Sequence, residues 1–95
     1  MAGEWPFDDA ENTAVFTTHY VLELGRPVVR VTHDEEDGAW QFHASEGTSG
    51  AVAKVVGLQE MMEIDLSLLE LADLPEGWVA TRTAIGRPWE RSPRG

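Results

Sequence analysis

Apolar and polar residues alternate on both sides of an acidic turn in the middle of the chain, a pattern that predicts a β-hairpin over residues 28–43. Val31 alternates with polar neighbours in the first strand, as Trp40 and Phe42 do in the second. Burying these side chains on one face requires Val31 to lie opposite Trp40 or Phe42, because successive side chains of a strand point to opposite faces. Gly38 follows the turn and relieves the strain at its end. We therefore predict this hairpin at the centre of the fold.

Similar patterns predict the remaining elements. They are strands at residues 14–17, 51–56 and 77–82, and helices at residues 18–24, 58–64 and 66–72. The strand at residues 51–56 is almost entirely apolar, which indicates a central place in the sheet. Residues 1–13 are interpreted as an acidic N-terminal arm, and residues 86–95 as a basic C-terminal tail.

These elements predict a single α+β domain over residues 1–95. The expected architecture is an antiparallel sheet of four to five strands with two to three short helices on one face. No repeat or linker divides the chain. The predicted core consists of the apolar residues that these patterns turn inward: Phe16, Val21, Leu22, Val29, Val31, Trp40, Phe42, Val55, Leu58, Leu68, Leu71 and Trp78.

Charge limits the classes of partner. The chain has a formal net charge of -10, so its body repels nucleic-acid phosphates and attracts a basic protein. The absence of Cys excludes disulfides, thiolate metal sites and cysteine nucleophiles. No apolar run approaches the roughly 20 residues of a membrane span. The N-terminus lacks the basic start and apolar stretch of a signal peptide, so a cytoplasmic location is predicted, with no membrane partner.

The acidic turn supplies the predicted binding residues, Asp34, Glu35, Glu36 and Asp37. A solvated turn is the simpler interpretation of such a run, and a specific metal site is not predicted. Calcium loops place their ligands at alternating positions and end in a bidentate Glu, which this run does not. The four carboxylates are instead expected to present a negative surface at the hairpin tip.

Histidine provides the alternative interpretation. His19, His33 and His43 are the groups with a near-neutral pKa, and no nucleophile elbow, zinc helix or phosphate-binding glycine loop accompanies them. No catalytic residue, metal or cofactor is therefore predicted. A small ligand-binding or enzymatic domain that uses His33, His43 and a carboxylate in a shallow cleft is the alternative, although strand alternation places these two histidines on opposite faces.

One family resemblance covers about residues 18–83. The segments 37–42 and 74–78, together with Asp65, Leu71 and Arg82, resemble a bacterial family of unknown function, number 2185 in the domain-of-unknown-function series. The family pattern has an aromatic strand after an acidic turn, a short helix, and a final strand with an Arg. This sequence departs from it at Gly38-Ala39, where the family usually has Ser-Gly. Some members are grouped with immunity proteins, so the resemblance implies a protein that binds and blocks a bacterial toxin.

The function predicted from charge and the hairpin is a non-catalytic protein-binding module, and not an enzyme; the family resemblance implies that this module is similar to immunity proteins. It would dock a basic protein through the acidic turn. A homo-oligomer formed through an exposed sheet edge is compatible with this function. In that arrangement Trp89 and Arg91 of the C-terminal tail are the expected interface anchors.

Overall fold

The computed structural model describes residues 5–94, and the α+β class predicted from the sequence is confirmed. The strands are β1 (Ala14–Thr18), β2 (Arg30–His33), β3 (Trp40–His43), β4 (Ala53–Gly57), β5 (Trp78–Thr81) and β6 (Glu90–Pro93). The helices are α1 (His19–Leu22), α2 (Leu58–Ile64) and a 3-10 helix (Leu66–Leu71). The predicted helix at residues 18–24 is thus a single turn, and the next two predicted helices are confirmed to within one residue.

The six strands form one mixed sheet in the order β4-β1-β3-β2-β5-β6. This corrects the prediction of an antiparallel sheet of four to five strands. Strand β1 lies between β4 and β3, and it runs parallel to β3 with Phe16 beside Gln41. Every other pairing is antiparallel. Sequence patterns favour pairing between consecutive strands, and they carry no signal for this non-consecutive parallel contact.

The predicted hairpin is confirmed with its register. Val31 lies opposite Phe42, and the acidic turn joins β2 to β3. The backbone N–H of Asp34 donates to the carbonyl of Ala39 at 2.7 Å and so closes the hairpin. Gly38 has a φ of +71°, a left-handed conformation that a side chain would disfavour. The turn is therefore fixed both by its hydrogen bonds and by this glycine.

The core lies between one face of the sheet and the layer of helices. Its buried apolar residues are Phe7, Val15, Val21, Val28, Val31, Trp40, Phe42, Ala44, Leu58, Met61, Met62, Leu68, Leu71, Leu74 and Ala80. Phe7 brings the N-terminal arm onto this layer, where its ring meets Trp40 edge-on at 5.4 Å. The N-terminal arm therefore packs against the core through Phe7. Residues 1–4, which the prediction also assigned to the arm, lie outside the described residues.

Four predicted core residues lie outside the core: Leu22 and Val29 are half-buried without belonging to it, and two others are exposed. Phe16 is 41% exposed and Val55 is 60% exposed, and they lie opposite each other on the face of the sheet that no helix within residues 5–94 covers. The prediction that residues 51–56 form a central strand is wrong, because β4 is an edge strand. The apolar side chain of Val55 on this edge strand therefore lies on an uncovered surface and not in the core. Trp78 is half-buried.

The predicted basic tail is not free. Residues Glu90–Pro93 form edge strand β6, which pairs with β5. Arg91 Nη1 donates to Asp73 Oδ1 at 2.6 Å, and Arg94 Nη1 donates to Asp34 Oδ1 at 2.9 Å. Arg91 and Arg94 therefore neutralise acids of the same chain.

Candidate functional site

The uncovered face of the sheet holds a cavity of about 380 Å³ at the hairpin end. Its floor is formed by Gln41 and His43 of strand β3 and by Ala39 just before that strand. The remaining wall comes from β1, the acidic turn and the segment before β4. The lining residues are Phe16, Thr17, Thr18, Asp34, Asp37, Ala39, Gln41, His43, Thr48, Ala51 and Ala53. We call this cavity the sheet cavity; its volume is near the lower end of the roughly 300–1,000 Å³ typical of small-ligand sites.

A line of polar side chains crosses the floor of the sheet cavity. The amide nitrogen of Gln41 donates to Asp34 Oδ2 at 2.7 Å, and the other Asp34 oxygen accepts from Arg94 at 2.9 Å. At the other end, Gln41 Oε1 lies 3.1 Å from His43 Nε2. The C-terminal strand, the acidic turn and the floor of the cavity are therefore joined by one hydrogen-bonded series.

The hydrogen bonds of this series determine which ring nitrogen of neutral His43 carries the proton. Because the Gln41 amide nitrogen faces a carboxylate, the amide oxygen must face the imidazole, and it can only accept. The His43 proton therefore lies on Nε2, which leaves a lone pair on Nδ1. That nitrogen is buried and has no hydrogen-bond partner within the described part of the chain, and Thr18 Oγ1 in the same wall has none either. Two buried polar atoms next to the sheet cavity are therefore without a hydrogen-bond partner among the described residues.

Burial, aided by the positive charge of Arg30, holds the pKa of His43 below its ordinary value, against the opposing effect of Asp34. Arg30 lies opposite His43 in the β2–β3 pairing and so shares its face. A second proton would place a charged donor at the buried Nδ1, where the described residues offer no acceptor. Neutral His43 is therefore the stable form near pH 7.

We expect an NMR titration of the His43 ring to give a midpoint below the ordinary histidine pKa of about 6.5. The unfolded chain binds this proton more tightly than the folded protein does. The contribution of neutral His43 to the free energy of unfolding is therefore fully present above about pH 6.5. It is lost as the pH falls through the pKa of His43 in the folded protein. A midpoint at or above 6.5 would contradict the buried, singly protonated ring described above.

The structure divides the four predicted binding residues between two surfaces. Asp34 and Asp37 line the sheet cavity, whereas Glu35 and Glu36 lie with Arg94 and Gly77 in a separate surface depression. Asp34 is largely buried by its bonds to Gln41 and Arg94, and Asp37 Oδ1 accepts from the backbone N–H of Ala39 at 3.0 Å. Glu35 and Glu36 are exposed. Asp37 is exposed as well, so the acidic run is structural at Asp34 and open to solvent at its other three carboxylates.

The two histidines of the alternative interpretation do not meet. His33 lies on the core side of the sheet, where its ring stacks on Trp40 at 3.9 Å and its Nδ1 bonds the Leu74 carbonyl oxygen at 2.8 Å. His43 lies on the opposite face, as strand alternation predicts. A single cleft built from both rings is excluded by this geometry. Among residues 5–94, no three His, Asp or Glu side chains are grouped so as to hold a metal ion.

Outside the sheet cavity, the guanidinium of Arg82 donates three hydrogen bonds, to partners that the sequence did not predict. Its guanidinium donates to Val28 O at 3.0 Å, to Ser67 Oγ at 2.9 Å and to Asp65 Oδ2 at 2.7 Å. The ring of Trp89 lies 4.1 Å from the guanidinium carbon. Burial by itself would raise the pKa of Asp65, but the bonds from Ser67 and Arg82 outweigh it and hold that pKa below its ordinary value.

These contacts also change the role of the expected oligomer anchors. Trp89 is half-buried beneath Arg82, and Arg91 is bonded to Asp73 and to the carbonyl of Glu70. Both side chains are therefore engaged within the chain rather than held out from β6. Pairing of a sheet edge with a second copy stays a prediction without these anchors.

No family model, curated protein or solved structure matches this chain. The resemblance of residues 18–83 to the family numbered 2185 therefore stays a prediction based on its motif residues. None of the helices within residues 5–94 has the length and apolar character needed to cross a membrane.

Proposed function

We propose that this protein is a non-catalytic protein-binding module that docks a basic partner on the uncovered face of its sheet. The acidic turn at the hairpin end forms the charged rim of that surface. Binding of a bacterial toxin, which the family resemblance implies, is one form of this function. A cytoplasmic location, as expected from the sequence, belongs to the same proposal.

The observation that carries this proposal is an apolar surface beside an acidic rim. Phe16 and Val55 lie next to each other and are exposed on a face that no helix in the described part of the chain covers. Asp37 of the acidic turn is exposed and lines the sheet cavity together with Phe16, and the exposed Glu35 and Glu36 precede it in the same turn. Apolar and aromatic side chains at the centre, with charged residues around them, are the usual composition of a protein interface. The net charge of -10 favours a basic partner through long-range attraction.

The polar groups of the sheet cavity favour binding over catalysis. Its imidazole is hydrogen-bonded to the amide of Gln41, and that amide is held by Asp34. A general base needs a nucleophile or substrate proton within hydrogen-bond reach, and an activated nucleophile needs an adjacent base. The hydroxyls and carboxylates assigned to the cavity wall form no such pair with His43 among the described contacts.

Affinity capture from a lysate of the source organism, at low and high salt, tests the proposal. We expect a basic protein to be retained at low salt and released at high salt, because screening weakens charge attraction. The variant E35Q/E36Q removes two rim charges and leaves the internal bonds of Asp34 and Asp37 unchanged. It should bind the same protein about 5–30-fold more weakly, since exposed ion pairs each contribute about 0.5–1 kcal/mol.

A matched control removes the same charge from the other layer of the fold. Glu63 and Glu70 are exposed on α2 and on the 3-10 helix, which pack against the opposite face of the sheet. The variant E63Q/E70Q should therefore retain the partner as the parent does. Equal retention by parent and E35Q/E36Q, or an equal loss in both double variants, would contradict a binding surface at the acidic turn. Retention of nothing above background would contradict the function itself.

A further inference from the structure

We infer that the basic partner adds an extended segment to edge strand β4, as an additional antiparallel strand of the sheet. This inference rests on the proposed function and specifies how the partner is held beside the uncovered face. The segment that fits this edge carries apolar and basic side chains at alternating positions. Strand addition of this kind supplies affinity through backbone hydrogen bonds and specificity through alternate side chains.

The pairing of β4 with β1 directs alternate backbone groups of β4 away from the sheet. Val52 O accepts from the His19 backbone N–H at 2.9 Å, so Val52 faces the β1 side, as every second residue after it does. The backbone N–H and C=O groups of Ala53 and Val55 therefore point outward. Among residues 5–94 these groups have no hydrogen-bond partner, because β4 pairs with β1 alone. They are the groups that an added strand would bond.

The two edges of the sheet differ in how well they resist pairing with another chain. Edge strand β6 carries the charges of Glu90 and Arg91, and it contains Pro93, which has no N–H to donate. In β4 the single charged residue is Lys54, and its ammonium is bound to Glu23 Oε2 at 2.8 Å. Charge and proline therefore protect the β6 edge, whereas the β4 edge has one charge that is already neutralised.

The exposed side chains of β4 continue the apolar surface of β1. Ala53 and Val55 are exposed, and they point to the same face of the sheet as Phe16. Residues directly opposite each other in an antiparallel pair point to the same face. The partner residues opposite Ala53 and Val55 would thus lie at the margin of this apolar surface. These positions of the partner are therefore expected to be apolar.

Acidic side chains beside β4 favour basic residues at the intervening positions of the partner. Glu23 and Glu60 are both exposed, and Glu60 Oε1 accepts from the Gly57 backbone N–H at the end of the strand, at 2.8 Å. Lys54 compensates one of these two charges, through its bond to Glu23. A basic segment is therefore attracted to this edge. A second copy of this chain would instead bring two acidic edges together, so the basic partner is the better occupant.

Titration of the full-length, 15N-labelled protein with a capped peptide of about six alternating lysine and valine residues tests the inference. We expect saturable shifts of the Ala53 and Val55 amides, and slower hydrogen exchange at both, because their N–H groups become bonded. Two methylated peptides of equal charge are matched controls. Methylation of the valine nitrogens, which face β4, should weaken binding at least about tenfold, whereas methylation of the lysine nitrogens should change the Kd little.

Two variants of Val55 test the same bonds from the side of the protein. V55P removes an outward N–H and keeps the pairing with β1, because Lys54 and Val56 make the bonds to that strand. It should bind the lysine–valine peptide about tenfold more weakly than the parent. V55T keeps the N–H and should bind within about threefold of the parent.

The inference is overturned by equal binding of the two methylated peptides, by unchanged exchange at Ala53 and Val55, or by protection of β6 instead. Slow exchange of these two amides in a dimer without peptide would assign the edge to a second copy and would also overturn it. Capture of a basic protein that depends on Glu35 and Glu36 but is equal for the parent and V55P would leave the proposed function standing and remove only this inference.

Discussion

Replacing Trp40 with alanine is expected to lower the free energy of unfolding by about 3–5 kcal/mol, the range found for removing a large aromatic from a core. The Trp40 ring is 2% exposed and lies between the stacked ring of His33 and the edge of Phe7. Its loss would leave a cavity at the junction of the hairpin, the N-terminal arm and the helices. Small domains are stable by about 5–15 kcal/mol, so this change threatens folding itself. Urea denaturation followed by far-UV circular dichroism measures it.

Two further variants separate the effect of the core from the effect of losing any aromatic ring. Phe16→Ala removes a ring from the uncovered face of a neighbouring strand, and we expect a much smaller loss of stability. Trp40→Phe keeps a ring in the core and removes an indole N–H that has no hydrogen-bond partner among the described residues. It should therefore be less destabilising than Trp40→Ala. A Trp40→Ala protein that unfolds at the same urea concentration as the parent would refute the assignment of Trp40 to the core.

Replacing Arg82 with methionine is expected to cost about 3 kcal/mol of stability, near the lower end of the range for breaking a buried ion pair. The guanidinium is almost fully buried, with a side-chain exposure of 1%, and its removal leaves the Asp65 carboxylate without its positive partner. It also removes the bonds that join the end of β5 to Ser67 and to Val28. The 14% exposure of Asp65 allows some hydration, which is why the lower end of the range applies.

The surface pair Arg91–Asp73 provides the control for this prediction. Its N–O distance of 2.6 Å is as short as that of the buried pair, but Asp73 is 79% exposed. Arg91→Met should therefore destabilise the protein clearly less than Arg82→Met, although both remove one guanidinium. The double variant D65N/R82M should recover part of the loss, because no unpaired carboxylate remains. Equal destabilisation by the two single variants, measured in the same denaturant series, would show that burial of Arg82 does not determine its contribution.

Local patterns were sufficient to predict the hairpin and the helical layer. Strand alternation limits Val31 to a position opposite Trp40 or Phe42, because slipping by one residue would turn its side chain to the wrong face, and the structure pairs it with Phe42. The boundary between α2 and the 3-10 helix follows from Asp65, whose carboxylate accepts from the Ser67 backbone at 3.0 Å. Each of these features depends on residues close together in the chain.

Strand β4 shows why the sheet order could not be predicted in the same way. Its apolar residues are typical of a central strand, yet Val55 lies on an uncovered face and β4 lies at the edge. Hydrophobicity reports a preference for burial, and it does not state what covers the side chain. A partner that covered this face would bury Val55 and leave β4 at the edge of the chain's own sheet, and the proposed function places a partner there.

The candidate site was predicted only in part, for a similar reason. The acidic run identified Asp34 and Asp37, but the cavity that they line also depends on Thr18 from β1 and on His43 from β3. The parallel pairing of β1 with β3 brings these residues together, and nothing in their local sequence indicates it. The pairing of Arg94 with Asp34, 60 residues away, is equally non-local. Residues 86–95 were therefore predicted as a basic tail, whereas Glu90–Pro93 form an edge strand.

The position of β1 also imposes an order on folding. Strand β1 is the first strand in the chain, but its neighbours in the sheet are β3 and β4. The hydroxyl of Thr17 bonds the carbonyl of Phe42, a separation of 25 residues. The β2–β3 hairpin closes a much shorter loop and has a smaller entropic cost, so it can form first and serve as the template. During synthesis, both edges of β1 can be paired only after β4 has been made. Until then β1 has an unpaired edge and is available for incorrect pairing.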